Sequence, residues 1–178
     1  MNANRLTRMG VLLAVLVACV GCDQVTKSIA TQKLAPLPPQ LYLGGILRLE
    51  YVRNPGAFLG MGGDLSPTQR FWSLTVVNAL AMVVLGYVLV TRWNMPKIHF
   101  AAWALVLAGG IGNLIDRVGQ QGLVTDFLNL RLGPFRTGIF NVADMAITGG
   151  FALFLWIWWR DETKQKRNHD GQPAQAKA

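Results

Sequence analysis

Residues 139–159 read IFNVADMAITGGFALFLWIWW, twenty-one positions with a single ionisable side chain, Asp144. That matches the roughly 20 apolar residues needed to span ~30 Å of hydrocarbon at 1.5 Å per residue. A carboxylate in such a segment costs about 2.5–3.5 kcal/mol near mid-helix, so an aspartate at its mouth is a functional candidate by default. A second aspartate, Asp126 in Val124-Thr125-Asp126-Phe127, lies in the polar connection just upstream. Two carboxyls that cannot both ionise share a proton, and one then serves as base while the other serves as acid.

Working outward, three more apolar runs emerge at about 9–26, 71–91 and 100–115, which with 139–159 predict four membrane helices. The composition agrees. The 178 residues are 52% hydrophobic and 15% charged, against about 25% charged in a soluble domain. The net charge of +8 follows from loop and flank cations, and without a basic stripe interleaved with aromatics it does not indicate nucleic-acid binding. Trp72, Trp93, Trp156, Trp158 and Trp159 fall near segment ends, as interfacial aromatics do. Arg5 and Arg8 precede the first run, Arg92 and Lys97 fill the connection after the second, and Arg160 and Lys164 follow the fourth. By the positive-inside rule both termini are expected in the cytoplasm.

The connections 27–70 and 116–138 then lie on the outer side. Leu47-Arg48-Leu49-Glu50-Tyr51 and Leu128-Asn129-Leu130-Arg131-Leu132 alternate with period two, the pattern of half-exposed strands. Segments 41–52 and 126–132 are therefore expected to pair into a small extracytoplasmic sheet. Residues 1–160 read as one membrane domain, and 161–178, polar and rich in Gln and Lys, as a disordered cytoplasmic tail. Arg5 and Arg8 ahead of 11–20 resemble a signal peptide, and Leu16-Val17-Ala18-Cys19 resembles a lipobox. The apolar run continues past Cys19, so an uncleaved first helix is expected. Cys19 and Cys22 are then buried small hydrophobes rather than a redox or metal pair.

The polar clusters each carry two readings. In Asp23-Gln24-Val25-Thr26-Lys27, charges at i and i+4 share one helix face, as a structural ion pair or as part of a site. Asn54-Pro55-Gly56 is a turn by its chemistry, or an amide that orients a substrate backbone. Asn113, Asp116 and Arg117 in Gly112-Asn113-Leu114-Ile115-Asp116-Arg117 suggest a buried Asp–Arg pair with an amide beside it, structural or substrate-orienting. Asn141 and Asp144 have the spacing of a helix capping box, which competes with a catalytic role for Asp144. Other chemistry lacks its parts. No histidine accompanies a serine in any motif, Ser28 is adjacent to Lys27 rather than facing it, and no histidine-rich cluster offers zinc ligands.

In this order the clusters resemble the bacterial lipoprotein signal peptidase family (signal peptidase II). The likeness runs over about 23–149 through D-Q-x-x-K at 23–27, N-x-G-A at 54–57, G-N-x-x-D-R at 112–117, V-x-D-F at 124–127 and F-N-x-A-D at 140–144. The resemblance implies a catalytic dyad of Asp126 and Asp144, supported by Asp23, Lys27, Asn54, Gly56, Asn113, Asp116, Arg117 and Asn141. It implies an aspartic endopeptidase of the bacterial cytoplasmic membrane, a monomer needing no cofactor or metal. Its substrates are diacylglyceryl-modified prolipoproteins, cut just before the lipidated cysteine in contact with membrane lipid. Two departures stand out. The family's Gly-Ala-Ala-Phe is Gly56-Ala57-Phe58-Leu59 here, and Thr125 replaces a valine. The alternatives are a small transporter or proton relay, which calls for mid-helix acids and an internal repeat, and a non-catalytic lipoprotein anchored through Cys19.

Overall fold

The apolar runs form helices because their backbone polar groups have no water to bond to in hydrocarbon. The computed structural model describes residues 3–56, 65–92 and 94–170. Helix α1 spans Ala3–Lys33, α2 Pro67–Arg70, α3 Val77–Thr91, α4 Lys97–Gly119 and α5 Val142–Asp170. Between α2 and α3, Phe71–Val76 winds as a π-helix. Four stretches are long and apolar enough to cross a membrane: Asn4–Lys33, Phe71–Thr91, Lys97–Gly119 and Val142–Lys164.

Phe71–Thr91 falls on the expected 71–91, and the other three run past their expected ends. The 31 residues of α1 reach about 46 Å, because its Arg and Lys flanks are good helix formers whose stems extend toward the interface. Helix α5 starts at Val142 rather than 139 and continues to Asp170, so 161–170 is helical where disorder was expected. The next helix breakers in the sequence are Gly171 and Pro173; residues 171–178 lie outside the described residues. Trp72 is exposed at the start of its span, Trp156, Trp158 and Trp159 are exposed in the second half of Val142–Lys164 rather than at the end of α5, and Trp93 lies outside the described residues. The cysteines are free, Cys19 half-buried and Cys22 exposed, which corrects the expectation of burial. On a spanning helix such a side chain faces lipid, a solvent as apolar as a core.

Helix α4 is the hub on which α1, α3 and α5 pack. Of its most apolar window 56% is buried, against 11–17% in the other spans. Without a hydrophobic drive between helices in lipid, close backbone approach has to hold them together. The α4–α5 contact achieves it with glycines. A methyl at Gly109 would collide with the Ala143 carbonyl, and one at Gly150 would stand 2.6 Å from the Ala102 carbonyl oxygen.

The outer connections build one antiparallel four-stranded sheet, β1 (Gln40–Tyr42), β2 (Leu47–Asn54), β3 (Val124–Leu132) and β4 (Phe135–Arg136), in that spatial order. The expected pairing of 41–52 with 126–132 is present, with Leu47 opposite Leu130 and Val52 opposite Asp126. The register shifts between Leu49 and Val52, an irregularity of the kind that re-aims strand side chains near sites. Strand β3 begins buried and ends exposed, so Asp126 sits at the end anchored on the helices.

Candidate active site

The start of α5 brings the polar clusters together. Phe140 bridges β3, its carbonyl accepting from the Phe127 and Leu128 N–H groups and its own N–H donating to the Leu128 carbonyl. That contact fixes Asn141 beside Asp126. Asn141 then caps α5, its Oδ1 accepting from Asp144 N at 2.9 Å while its own N–H donates to Asp144 Oδ2 at 3.1 Å. The capping box is thus real, and it leaves the Asn141 side-chain N–H₂ free for other work. That amide donates to Asp126 Oδ1 at 2.6 Å and to Asn113 Oδ1 at 3.1 Å.

Every oxygen of the two carboxyl groups has a protein donor. Asp126 Oδ2 accepts from Asn54 Nδ2 at 2.8 Å, and Asp144 Oδ1 from Asn113 Nδ2 at 2.8 Å. Asp126 is 1% exposed, and Asp144 is half-buried. Burial pushes the Asp126 carboxyl up to about 6, and the nearby Asp144 charge pushes the same way; bonds from Asn54 and Asn141 and the Lys27 charge oppose them. Desolvation wins because it penalises the ionised form directly.

Behind these groups lies a buried charge cluster. Lys27 Nζ is 2.8 Å from Asp23 Oδ2 and 3.3 Å from Asp116 Oδ2, and it donates to Asn113 Oδ1 at 3.0 Å. Asp23 Oδ1 also accepts from Ala143 N at 2.8 Å, so an α1 carboxylate serves the positive end of α5. Asp116 Oδ2 accepts from Thr125 N at 2.9 Å, which positions the residue before Asp126.

The Asp116–Arg117 ion pair expected from sequence is absent among the described residues. Consecutive helical side chains do not face each other, so Asp116 turns to Lys27 and Arg117 turns the other way. Arg117 Nη2 donates to the Gly56 carbonyl at 3.0 Å. Asn54 Oδ1 accepts from Gly56 N at 2.8 Å, and the 54–56 turn is thereby fixed at both ends. Ala57, Phe58 and Leu59 lie outside the described residues.

Both aspartates open on a cavity of about 1110 Å³. Asn54, Gly56, Asn113 and Arg117 line its polar end with them, while Leu74, Val77, Ile147, Phe151 and Leu155 continue it between the membrane helices. Asp23, Lys27, Asp116 and Asn141 do not line it. The candidate residues therefore divide into a cavity wall and a layer that holds the wall in place. Sequence reasoning assigned no role to Gln24, whose Nε2 donates to the Gly112 carbonyl and to Asp116 Oδ1, both at 3.1 Å. Nor did it single out Gly112, where a methyl would stand 2.8 Å from Asp23 Oδ2. Both belong to quoted motifs, which was the available signal. No group of three or more His, Cys, Asp or Glu able to hold a metal occurs among the described residues.

A helical bundle with a carboxylate-bearing cavity at one end of its spans defines a multi-pass membrane protein. The profile of the family described as signal peptidase (SPase) II matches residues 15–160, and the chain belongs to that family. Relatives named lipoprotein signal peptidase include those of Leifsonia xyli subsp. xyli, 36% identical over 84% of this chain and 68% of its own length, and of Moorella thermoacetica, 37% identical over 82% and 89%. Two solved structures, each described as a bacterial membrane enzyme determined by the in meso method, share the fold. The one at 2.3 Å resolution has a TM-score of 0.71 at 26% identity, over 94% of this chain and 95% of that one. The one at 1.9 Å has a TM-score of 0.70 at 29% identity, over 85% and 94%.

Proposed function

We propose that this chain, a peptidase that removes signal peptides from prolipoproteins, does so with Asp126 and Asp144 as an aspartic dyad. The observation that carries the reading is Asn141, whose side-chain amide donates to Asp126 and whose backbone N–H donates to Asp144, joining two carboxyls from different elements at the polar end of an otherwise apolar cavity. The pair holds one proton. The ionised member takes a proton from water as the water oxygen attacks the scissile carbonyl carbon. The protonated member donates to the carbonyl oxygen. When the tetrahedral intermediate collapses, the C–N bond breaks and the leaving amine takes up the proton gained from water. The titration belongs to the pair rather than to either residue.

The rest of the proposal concerns place and substrate. The substrate carries diacylglycerol on its lipobox cysteine and is cut just before it, with acyl chains in the apolar part of the cavity. Residues 1–160 act as one domain, as a monomer in the bacterial cytoplasmic membrane. Arg8 Nη2 donates to the Met95 carbonyl at 2.6 Å, so the cationic flanks 5–8 and 92–97 share one end. The aspartates occupy the other, which is assigned to the extracytoplasmic face. A proton relay calls for acids near mid-helix, whereas Asp144 lies in the first turn of α5. The test is incubation of the purified protein with diacylglyceryl-modified prolipoprotein and with its unmodified precursor. Cleavage of the first alone supports the proposal, and cleavage of neither contradicts it.

A further inference from the structure

The far end of the sheet, away from Asp126, carries side chains that the peptidase chemistry does not use. Two turns meet there. The β1–β2 turn contains Leu43 and Ile46, and the β3–β4 turn, Gly133-Pro134, is closed by the strand-end pair Leu132 and Phe135. The Arg131 N–H donates to the Ile46 carbonyl at 2.8 Å, which holds the turns side by side. Leu43, Leu132 and Phe135 are 73%, 64% and 78% exposed, an unusual concentration of large apolar groups at turn tips. The Leu43 backbone is moreover in the left-handed region, φ 52°. That conformation costs a leucine about 1–2 kcal/mol and marks the turn as a candidate for function.

We infer that these two turns form a membrane-surface anchor, whose apolar tips enter the headgroup–acyl boundary and whose arginines meet anionic lipid phosphates. The occupant is a lipid surface for two reasons. The sheet leaves α1 and returns through α4 and α5, so it stands at the bilayer face that those spans define. Its charge is also complementary. Arg131 and Arg136 flank the tips, and the carboxylates among residues 34–56 and 120–141 are Glu50 and Asp126. Glu50 is paired with Arg48 at 2.6 Å, and Asp126 lies at the opposite end of β3. Apolar tips framed by cations are the pattern of interfacial elements, which bury themselves about 5–10 Å into the headgroup–acyl boundary. The inference rests on the membrane placement of the helices alone and stands apart from the peptidase chemistry.

The full chain carrying Phe135→Trp, or separately Leu43→Trp, is reconstituted one copy per nanodisc in phosphatidylcholine with phosphatidylglycerol. The probe is the emission that the added Trp contributes over the parent protein, measured with acyl-brominated lipid and with aqueous iodide. About a twofold loss of that added emission to brominated lipid, with little response to iodide, is the expected result for a side chain at the acyl boundary. Quenching by iodide alone would overturn the anchor. Quenching by neither agent would overturn it as well and assign the tips to a protein contact. The two variants lie in different turns, so a folding defect in one leaves the other decisive.

Discussion

The side-chain amide of Asn141 donates to Asp126 Oδ1 at 2.6 Å, a bond that links the N-terminal cap of α5 to the buried end of β3. The same residue caps Asp144 through its carbonyl oxygen. Its backbone N–H in turn donates to Asp144 Oδ2, so one residue contacts both carboxyls, by side chain and by backbone, and the capping role read from the sequence is part of the site rather than a rival to it.

Asn141→Ala is expected to cost about 0.5–2 kcal/mol through the lost cap. It should lower turnover about 100-fold, because reacting groups misplaced by about an ångström lose that much. Asn141→Asp keeps a good cap but sets a third carboxylate against Asp126, so it should retain stability and lose activity. Thermal unfolding in detergent and single-turnover cleavage measure the two effects. An Asn141→Ala variant with full turnover would remove Asn141 from the account.

The Asn54 amide donates to Asp126 Oδ2 and so favours the ionised carboxyl. In Asn54→Ala that support is gone, and the Asp126 carboxyl should rise above its value of about 6. Whether Asp126 acts as base or acid, the limb of the pH–rate profile that it governs moves to higher pH. A profile unmoved or shifted down would contradict the assignment.

Stability should follow pH with a sign set by the same group. The folded carboxyl is raised from 3.8 to about 6, so the folded state holds its proton more tightly than the unfolded chain does. The stabilisation is fully present below about pH 4 and is lost as pH rises through about 6. Asp126→Asn removes the titration, so the melting temperature should depend less on pH between about 4 and 6 than in the parent. Equal pH dependence in both proteins would contradict the raised value.

Lys27 neutralises two buried aspartates from other turns of the fold, Asp23 and Asp116. Lys27→Met should strand both and cost about 3–5 kcal/mol. The triple variant Asp23→Asn, Lys27→Met, Asp116→Asn should recover part of that loss, because no charge is left unpaired. A melting temperature unchanged in Lys27→Met would show that the cluster is solvated rather than buried.

Much of this arrangement was legible in the sequence, and the limits have physical causes. Apolar run length gave the four spans, and period-two alternation gave the β2–β3 pairing. The i,i+4 spacing gave the Asp23–Lys27 contact. The helix ends were set too short because 27–33 and 161–170 are polar yet remain good helix formers. The partners of Asp116 and Arg117 were misassigned because they come from α1 and the 54–56 turn, contacts that no local spacing encodes. The reach of Asp23 to the Ala143 N–H and the π-helical Phe71–Val76 beside the cavity were likewise products of tertiary packing.

The dyad itself is tested by single-turnover cleavage of diacylglyceryl-modified prolipoprotein by Asp126→Asn, Asp144→Asn and the double variant. An amide fills nearly the same space as a carboxyl but cannot accept and return the proton. Each single variant is expected to lose about four orders of magnitude in rate while keeping its membrane insertion and fold, and the double should be little worse, since the two groups act as a unit. If either single variant cleaves near the parent rate, the two aspartates are not the catalytic pair.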